Sequence, residues 1–222
     1  MAGEVDFYQI YFKESQLADL YPFAKPYFNE KLTVFFENSP ISTLVPQSNA
    51  EKIGVCSYKL RKKIGHGIPL RNPFTEESLV GDYDVLSLGR RQPSNNALFR
   101  LEHWHPGSRE TLEKIFEYLG LQKPTEPKHV IYQNHFFANT EIYKAYVSEF
   151  LIPAMKVMEE VEEIRKKCFE DSLYYRINND PGFRNRVKSE LNLDYCPMHP
   201  FLLERCFSLW INPKRLNIKY VI

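Results

Sequence analysis

Val5–Phe12 reads VDFYQIYF, a run of β-branched and aromatic residues that ends at the charged pair Lys13-Glu14. A short run without glycine or proline suits a buried strand better than a helix of ordinary length. Working outward, the two prolines of Tyr21–Pro26 (YPFAKP) argue against regular structure, and Leu32–Phe36 (LTVFF) has strand composition until Asn38 and Pro40 break it. Ile53–Leu60 (IGVCSYKL) predicts a further strand that runs into Lys59, Arg61, Lys62 and Lys63. Ile64–Pro73, punctuated by glycine and proline, reads as a long loop. Thr75 caps a short helix with Glu76 and Glu77 at its positive end, and that helix leads into a strand at Val85–Leu88.

Helical spacing takes over further along. Pro106 and Gly107 precede a helix over 108–119, in which Leu112, Ile115, Phe116 and Leu119 recur at the helical period and Gly120 supplies the C′ residue. Thr140 caps a longer helix, whose apolar stripe runs from Ile142 and Tyr143 through Phe150, Met155 and Met158 to Ile164, with Pro153 placed to bend it. The last helix begins near Pro200, carries Phe201, Leu202, Cys206 and Leu209, and stops at Pro213. Residues 170–195 form a polar stretch between these two helices, an insertion or a surface excursion. Short strands alternating with helices predict an α/β fold with long crossovers.

Composition narrows the function classes. The 222-residue chain is 43% hydrophobic and 26% charged, the balance of a folded protein rather than a disordered one. Lys and Arg number 29 against 28 Asp and Glu, so no global charge draws the chain onto nucleic acid, and KLRKK at 59–63 reads most simply as a solvated edge. Aromatic residues make up 14%, either rings of a core and its rim or a cleft that stacks on sugars or bases. Cys56, Cys168, Cys196 and Cys206 form no CxxC pair and read as reduced, buried thiols. No apolar run approaches the ~18 residues of a membrane span, and the first residues carry no signal-like apolar region. A cytoplasmic protein is expected, with peripheral membrane association compatible with it.

Among candidate functional residues, Asp82-Tyr83-Asp84 opens the strand VLSL, and paired carboxylates at a strand edge can hold Mg²⁺ or Mn²⁺, which in turn neutralises a diphosphate. An acidic turn before a strand produces the same pattern. Arg90 and Arg91, just beyond that strand, offer planar forks for phosphate or sugar-acid oxygens. His103-Trp104-His105 would place both imidazoles on one side of an extended segment, where they suit a substrate better than zinc, which wants four ligands. Glu102 beside them is a candidate general base or an ordinary surface acid. No GxSxG, Walker A or GxGxxG pattern occurs, so serine hydrolase, P-loop NTPase and classical dinucleotide enzyme lose support.

Three stretches together carry a resemblance: DVLSLGRR at 84–91, NHFFANTEIYKAYVSEFLIP at 134–153 and FLLERCFSLW at 201–210. In order and spacing they resemble a family of bacterial capsular-polysaccharide glycosyltransferases, and GVCSYK at 54–59 looks like the strand end of related sugar-transferase-like proteins. The family's ELT-x-x-YW-x-WK helix has no counterpart here. The resemblance implies a single GT-A-like (Rossmann-like) domain over 1–222, with a mixed, mainly parallel sheet flanked by helices. It also implies a nucleotide-sugar donor, a glycan acceptor and a divalent metal on Asp82 and Asp84. Lys59, Arg90, Arg91, His103, His105 and Asn134 would contact phosphate or sugar. Glu204, with Glu102, would supply the catalytic carboxylate, and Arg205 would share the motif helix with Glu204; a structural Glu204–Arg205 ion pair is the alternative. The alternative to an enzyme is a glycosyltransferase-like module that binds a glycan or a protein without transfer.

Overall fold

The computed structural model of the chain describes residues 4–61, 74–89, 97–131, 134–174 and 180–221. Six strands form one mixed sheet: β1 (Val5–Tyr11), β2 (Lys25–Phe28), β3 (Lys52–Ser57), β4 (Val85–Ser87), β5 (Phe136–Asn139) and β6 (Ile218–Tyr220). Their order across the sheet is β2-β1-β3-β5-β4-β6. β1 runs parallel to β2 and β3, β4 runs parallel to β6, and β5 alone is reversed, antiparallel to both β3 and β4. The chain therefore leaves β1 to one side and returns over it to the other, so strand order reverses at β1. In open α/β sheets such a reversal leaves a crevice outside the carboxyl ends of the strands.

The alternation of side chains along the strands separates two cores. Ile53, Val55, Val85, Phe136 and Ala138 face the larger one, which the helices cover; Cys56, Leu86 and Phe137 face the other. The first helix, α1 (Asn38–Gln47), joins α2 (Ala97–Trp104), α3 (Ser108–Tyr118), α4 (Thr140–Tyr146), α5 (Ile152–Glu160), α6 (Glu162–Cys168), α7 (Pro181–Leu191) and α8 (His199–Ile211). On the opposite face the cover is an aromatic layer. Phe7 meets Phe137 edge-on at 5.0 Å, and Tyr21 meets Phe74 at 5.1 Å. Many of the aromatic rings are thus core, Phe7, Phe136, Phe137, Phe150 and Phe207 among them. All four cysteines are buried and free.

Gly54 shows how tightly the second core is packed. Its register partner on β5 is Phe137, whose ring is fully buried, and a Cβ at position 54 would lie 2.5 Å from two of the ring carbons. The ring has nowhere to go. Gly54→Ala is expected to lower the unfolding free energy by about 1–3 kcal/mol, read as a lower denaturant midpoint at unchanged slope.

Several elements differ from the sequence reading. Leu32–Phe36 is not a strand: the chain turns there, the Leu32 amide donates to Glu190 at 2.6 Å, and the segment leads straight into α1. The strand in this region is instead β2, which tolerates Pro26 because an edge strand has one side free of ladder bonds. The long helix from Thr140 contains a π-turn at Val147–Leu151, ahead of Pro153, whose missing amide leaves the Glu149 carbonyl without its helical donor. It ends at Glu160, where Val161 takes an extended ψ of 107° before α6 begins. His103 and Trp104 close α2, so the histidines do not share an extended segment. The polar stretch 170–195 contains α7, capped by Asp180, whose carboxylate accepts from the Gly182 and Phe183 amides at 3.0 and 3.2 Å. Arg186 fastens that helix to the body, donating to the Asn29 carbonyl at 2.8 Å and lying over the Phe12 ring. The loop expected at Ile64–Pro73 lies outside the described residues.

Candidate functional site

The crevice at the strand-order reversal is real. A cavity of about 140 Å³ is lined by Phe36, Glu37 and Asn38 at the start of α1 and by Ser57 and Lys59 at the end of β3. Asn134 and His135 before β5, Tyr174, Phe183 on α7, and Pro200, Phe201 and Glu204 on α8 complete the lining. That is far above the ~10–15 Å³ that admits one water. Because β5 is reversed, the residues that precede it fall at the same edge as the residues that follow β3. The direction of one strand thus brings Asn134 and Lys59 together.

The polar side chains in the cleft are held in place. Asn134 donates through its amide to the Asn38 side-chain oxygen at 3.4 Å, and its carbonyl accepts from the Cys56 thiol at 3.6 Å. The Asn38 side chain donates to the Phe35 carbonyl at 3.1 Å. The Lys59 ammonium lies 5.7 Å from the centre of the Tyr58 ring and 5.9 Å from that of Phe183, a cation held between two aromatic faces. Burial pushes the Tyr58 phenol up, and the charges of Asp180 and Glu37 add to the shift. Glu204 and Arg205 form an ion pair at 2.9 Å with both side chains largely buried. His105 stacks on Phe201 at 4.5 Å and donates through Nδ1 to the Ser172 carbonyl at 2.9 Å. Burial lowers its pKa, and Arg205 acts in the same direction.

Backbone strain concentrates at the same place. Phe36 and Asn134 adopt left-handed φ values of 50° and 54°, and Leu173, next to the lining residue Tyr174, has φ 59°. For residues as bulky as Phe36 and Leu173 that conformation is a true outlier, and strain of this kind collects at ligand sites. A smaller apolar slot adjoins the cleft and shares Phe36, Glu37 and Phe183 with it; Phe12, Tyr58 and Arg186 supply its other ring and charge contacts.

Of the residues singled out in the sequence, Lys59, Asn134 and Glu204 line the cleft, and Arg205 and His105 stand directly behind it. Glu102 does not reach it. Its carboxylate accepts from the Gly107 amide at 2.8 Å and the Arg109 amide at 2.9 Å, which caps α3. His103 is exposed and stacks on Phe99. Arg90 and Arg91 lie outside the described residues. Asp82 and Asp84 sit at the opposite, amino-terminal edge of the sheet, beside Glu51, Lys52 and Asn139. There the Asp84 carboxylate accepts from the Asn217 amide at 2.7 Å, and the Asp82 carbonyl accepts from the Asn217 side chain at 3.1 Å. No group of three or more His, Cys, Asp or Glu side chains suited to a metal occurs among the described residues.

Sequence reasoning missed Glu37, Asn38, Ser57 and His135. The first two were hidden by reading LTVFF as a strand rather than as the approach to a helix. Ser57 and His135 are chain neighbours of Tyr58-Lys59 and Asn134, inside stretches already singled out.

His199, at the start of α8, is fully buried, edge-on to Phe35 at 5.3 Å and to Phe169 at 4.8 Å, and neither ring nitrogen has a hydrogen-bond partner among the described residues. Burial alone lowers its pKa to about 4. The unfolded chain binds the proton more readily, so this contribution is complete above the unfolded value near 6.5 and is lost as pH falls from there through 4. Unfolding free energy is expected to drop by about 3 kcal/mol over that window from this group. His199→Phe, measured by denaturant titration between pH 7 and pH 4, should remove that part of the drop; an unchanged pH dependence would refute the assignment.

No family model, no curated protein and no solved structure matches this chain. No helix among the described residues is long and apolar enough to cross a membrane.

Proposed function

We propose that the protein is a GT-A-like glycosyltransferase, which passes a sugar from a nucleotide-sugar donor to a glycan acceptor in surface-polysaccharide synthesis, and that the cleft is its donor site. One observation carries the reading. Asn134 and Glu204 come from two stretches that resemble that enzyme family and Lys59 from one that looks like the strand end of related sugar-transferase-like proteins, and the three line a single cleft at the strand-order reversal. In this reading the Lys59 ammonium offsets the charge that builds on the departing nucleoside diphosphate. Glu204, oriented by Arg205, takes the proton from the acceptor hydroxyl as its oxygen bonds to the anomeric carbon and the bond from that carbon to the diphosphate breaks. Asn38, Asn134 and His135 supply hydrogen-bond contacts to the sugar. The apolar slot between Phe12, Tyr58, Phe36 and Phe183 suits the planar base.

A divalent ion bound to the donor diphosphate does not fit Asp82 and Asp84, which stand at the far edge of the sheet, with Asp84 engaged by the Asn217 amide. No step of the proposal runs through that pair. The lack of a counterpart to the family's ELT-x-x-YW-x-WK helix favours, as a second reading, a glycan- or protein-binding module that does not transfer. Release of nucleoside phosphate from UDP-, GDP-, CMP- and dTDP-sugars, with and without a mixed bacterial capsular glycan as acceptor and with and without Mn²⁺, separates the two. Release from one donor class that the acceptor accelerates is the expected result. Glycan binding without release from any donor would leave the binding module.

A further inference from the structure

The apolar slot and the cleft meet at a narrow common wall. Of the described residues that line the slot, only Phe36, Glu37 and Phe183 also line the cleft. Glu37 is the one polar side chain of the three, so any molecule that extends from the slot into the cleft passes its carboxylate. That side chain is half-buried, and it has no hydrogen bond and no ion pair among the described residues. Its charged neighbours differ in this respect. Arg186, in the slot, is committed to the Asn29 carbonyl at 2.8 Å and to Glu190 at 3.2 Å, and Glu204, in the cleft, is paired with Arg205. The Tyr58 phenol on the slot wall feels the charge of Glu37, which raises its pKa further beyond the effect of burial and Asp180.

We infer that Glu37 is a specificity-determining residue of the donor site, and that it reads the ribose: with the base in the slot and the diphosphate at Lys59, the ribose between them sets its 2′- and 3′-hydroxyls on the Glu37 carboxylate. The inference rests on the transferase reading. In a nucleoside diphosphate the ribose is the only link between base and phosphate, so the occupants of slot and cleft determine what lies at their junction. An ionised carboxylate only accepts, and its two oxygens match two neighbouring hydroxyls that donate. Acidic residues engage ribose hydroxyls in this way at dinucleotide sites. A bound cation suits Glu37 less well, because the Lys59 ammonium lines the same cleft. The preferred donor is therefore a ribonucleotide sugar, since a deoxyribonucleotide leaves part of the carboxylate without its donor.

Calorimetric titration with UDP, GDP, CDP and ADP and with the 2′-deoxy form of each, in the absence of sugar and acceptor, tests the assignment. One ribonucleoside diphosphate is expected to bind the wild type about ten- to a hundredfold more tightly than its deoxy form, the loss that follows removal of a hydrogen bond to a charged group. In Glu37→Ala the two forms should bind alike, at about the affinity of the deoxy form for the wild type. Lys59→Ala should weaken both forms by the same factor and keep the preference. A deoxy form that binds the wild type as tightly as its ribonucleotide, or a preference that survives in Glu37→Ala, overturns the ribose assignment and leaves the donor site standing. Binding of none of these compounds to the wild type overturns the donor site and the ribose assignment together. The comparison within the wild type needs no variant, so it holds whether or not Glu37→Ala folds.

Discussion

On the proposed transferase reading, Glu204→Gln is expected to lower sugar transfer by about two to four orders of magnitude while leaving the fold intact, the loss that follows removal of a positioned general base. Glutamine matches glutamate in size, but it carries no charge and cannot take a proton from the acceptor hydroxyl. The loss should therefore fall on the rate at saturating donor, with donor affinity little changed, since uniform binding is not what was removed. The competing role for Glu204 is structural. Its pair with Arg205 spans 2.9 Å and is largely shielded from solvent, and one-sided removal of a buried pair is costly. Arg205→Lys separates the roles. If the pair only stabilises α8 itself, both variants lose melting temperature together and transfer follows the folded fraction. If Glu204 is the base, Glu204→Gln loses transfer at an unchanged melting temperature, whereas Arg205→Lys keeps most of it.

The second large effect is on stability. Phe207 lies at the centre of the helical core, stacked on Phe136 at 4.0 Å and edge-on to Tyr146 at 5.0 Å, with Tyr143 at 5.7 Å. Phe207→Ala leaves a cavity bounded by buried rings, which cannot collapse into it without leaving their own contacts. The expected cost is about 3–5 kcal/mol, a large part of the ~5–15 kcal/mol that holds a domain together. Phe207→Leu refills much of the space and should cost distinctly less. Chemical denaturation of the two variants checks the order, and equal losses would place the ring outside the core's load path.

The helix that carries Phe207 was legible from Phe201, Leu202, Cys206 and Leu209, although Phe207 itself was not read as part of its stripe, and the strands at β1, β3 and β4 were legible from their runs of β-branched and aromatic residues. The elements that misled did so for tertiary reasons. Pro26 is acceptable only because β2 is an edge strand, and edge position is set by partners far along the chain. LTVFF has strand composition, yet Phe35 packs against His199 of α8 and the chain turns there instead. The Asp82-Tyr83-Asp84 pair precedes its strand, which sends it to the amino edge, away from the edge where open sheets bind ligands. That consequence of strand direction was available from the sequence. The reversal of β5 was not, because nothing in Phe136–Asn139 states which way it runs, and that reversal is what brings Asn134 and His135 to face Lys59 and Glu204. Site chemistry was thus readable by residue type, while its assembly depended on strand directions that only the fold reveals.

The central claim is that the cleft binds a nucleotide sugar. Thermal shift of the purified protein against UDP-, GDP-, CMP- and dTDP-sugars, repeated on Lys59→Ala, tests it most directly, since a ligand that binds only the native state raises the melting temperature by mass action. The account predicts a concentration-dependent rise with one nucleotide class in the wild type and its loss in Lys59→Ala. A rise that is the same in both proteins, or no rise with any donor, would contradict it.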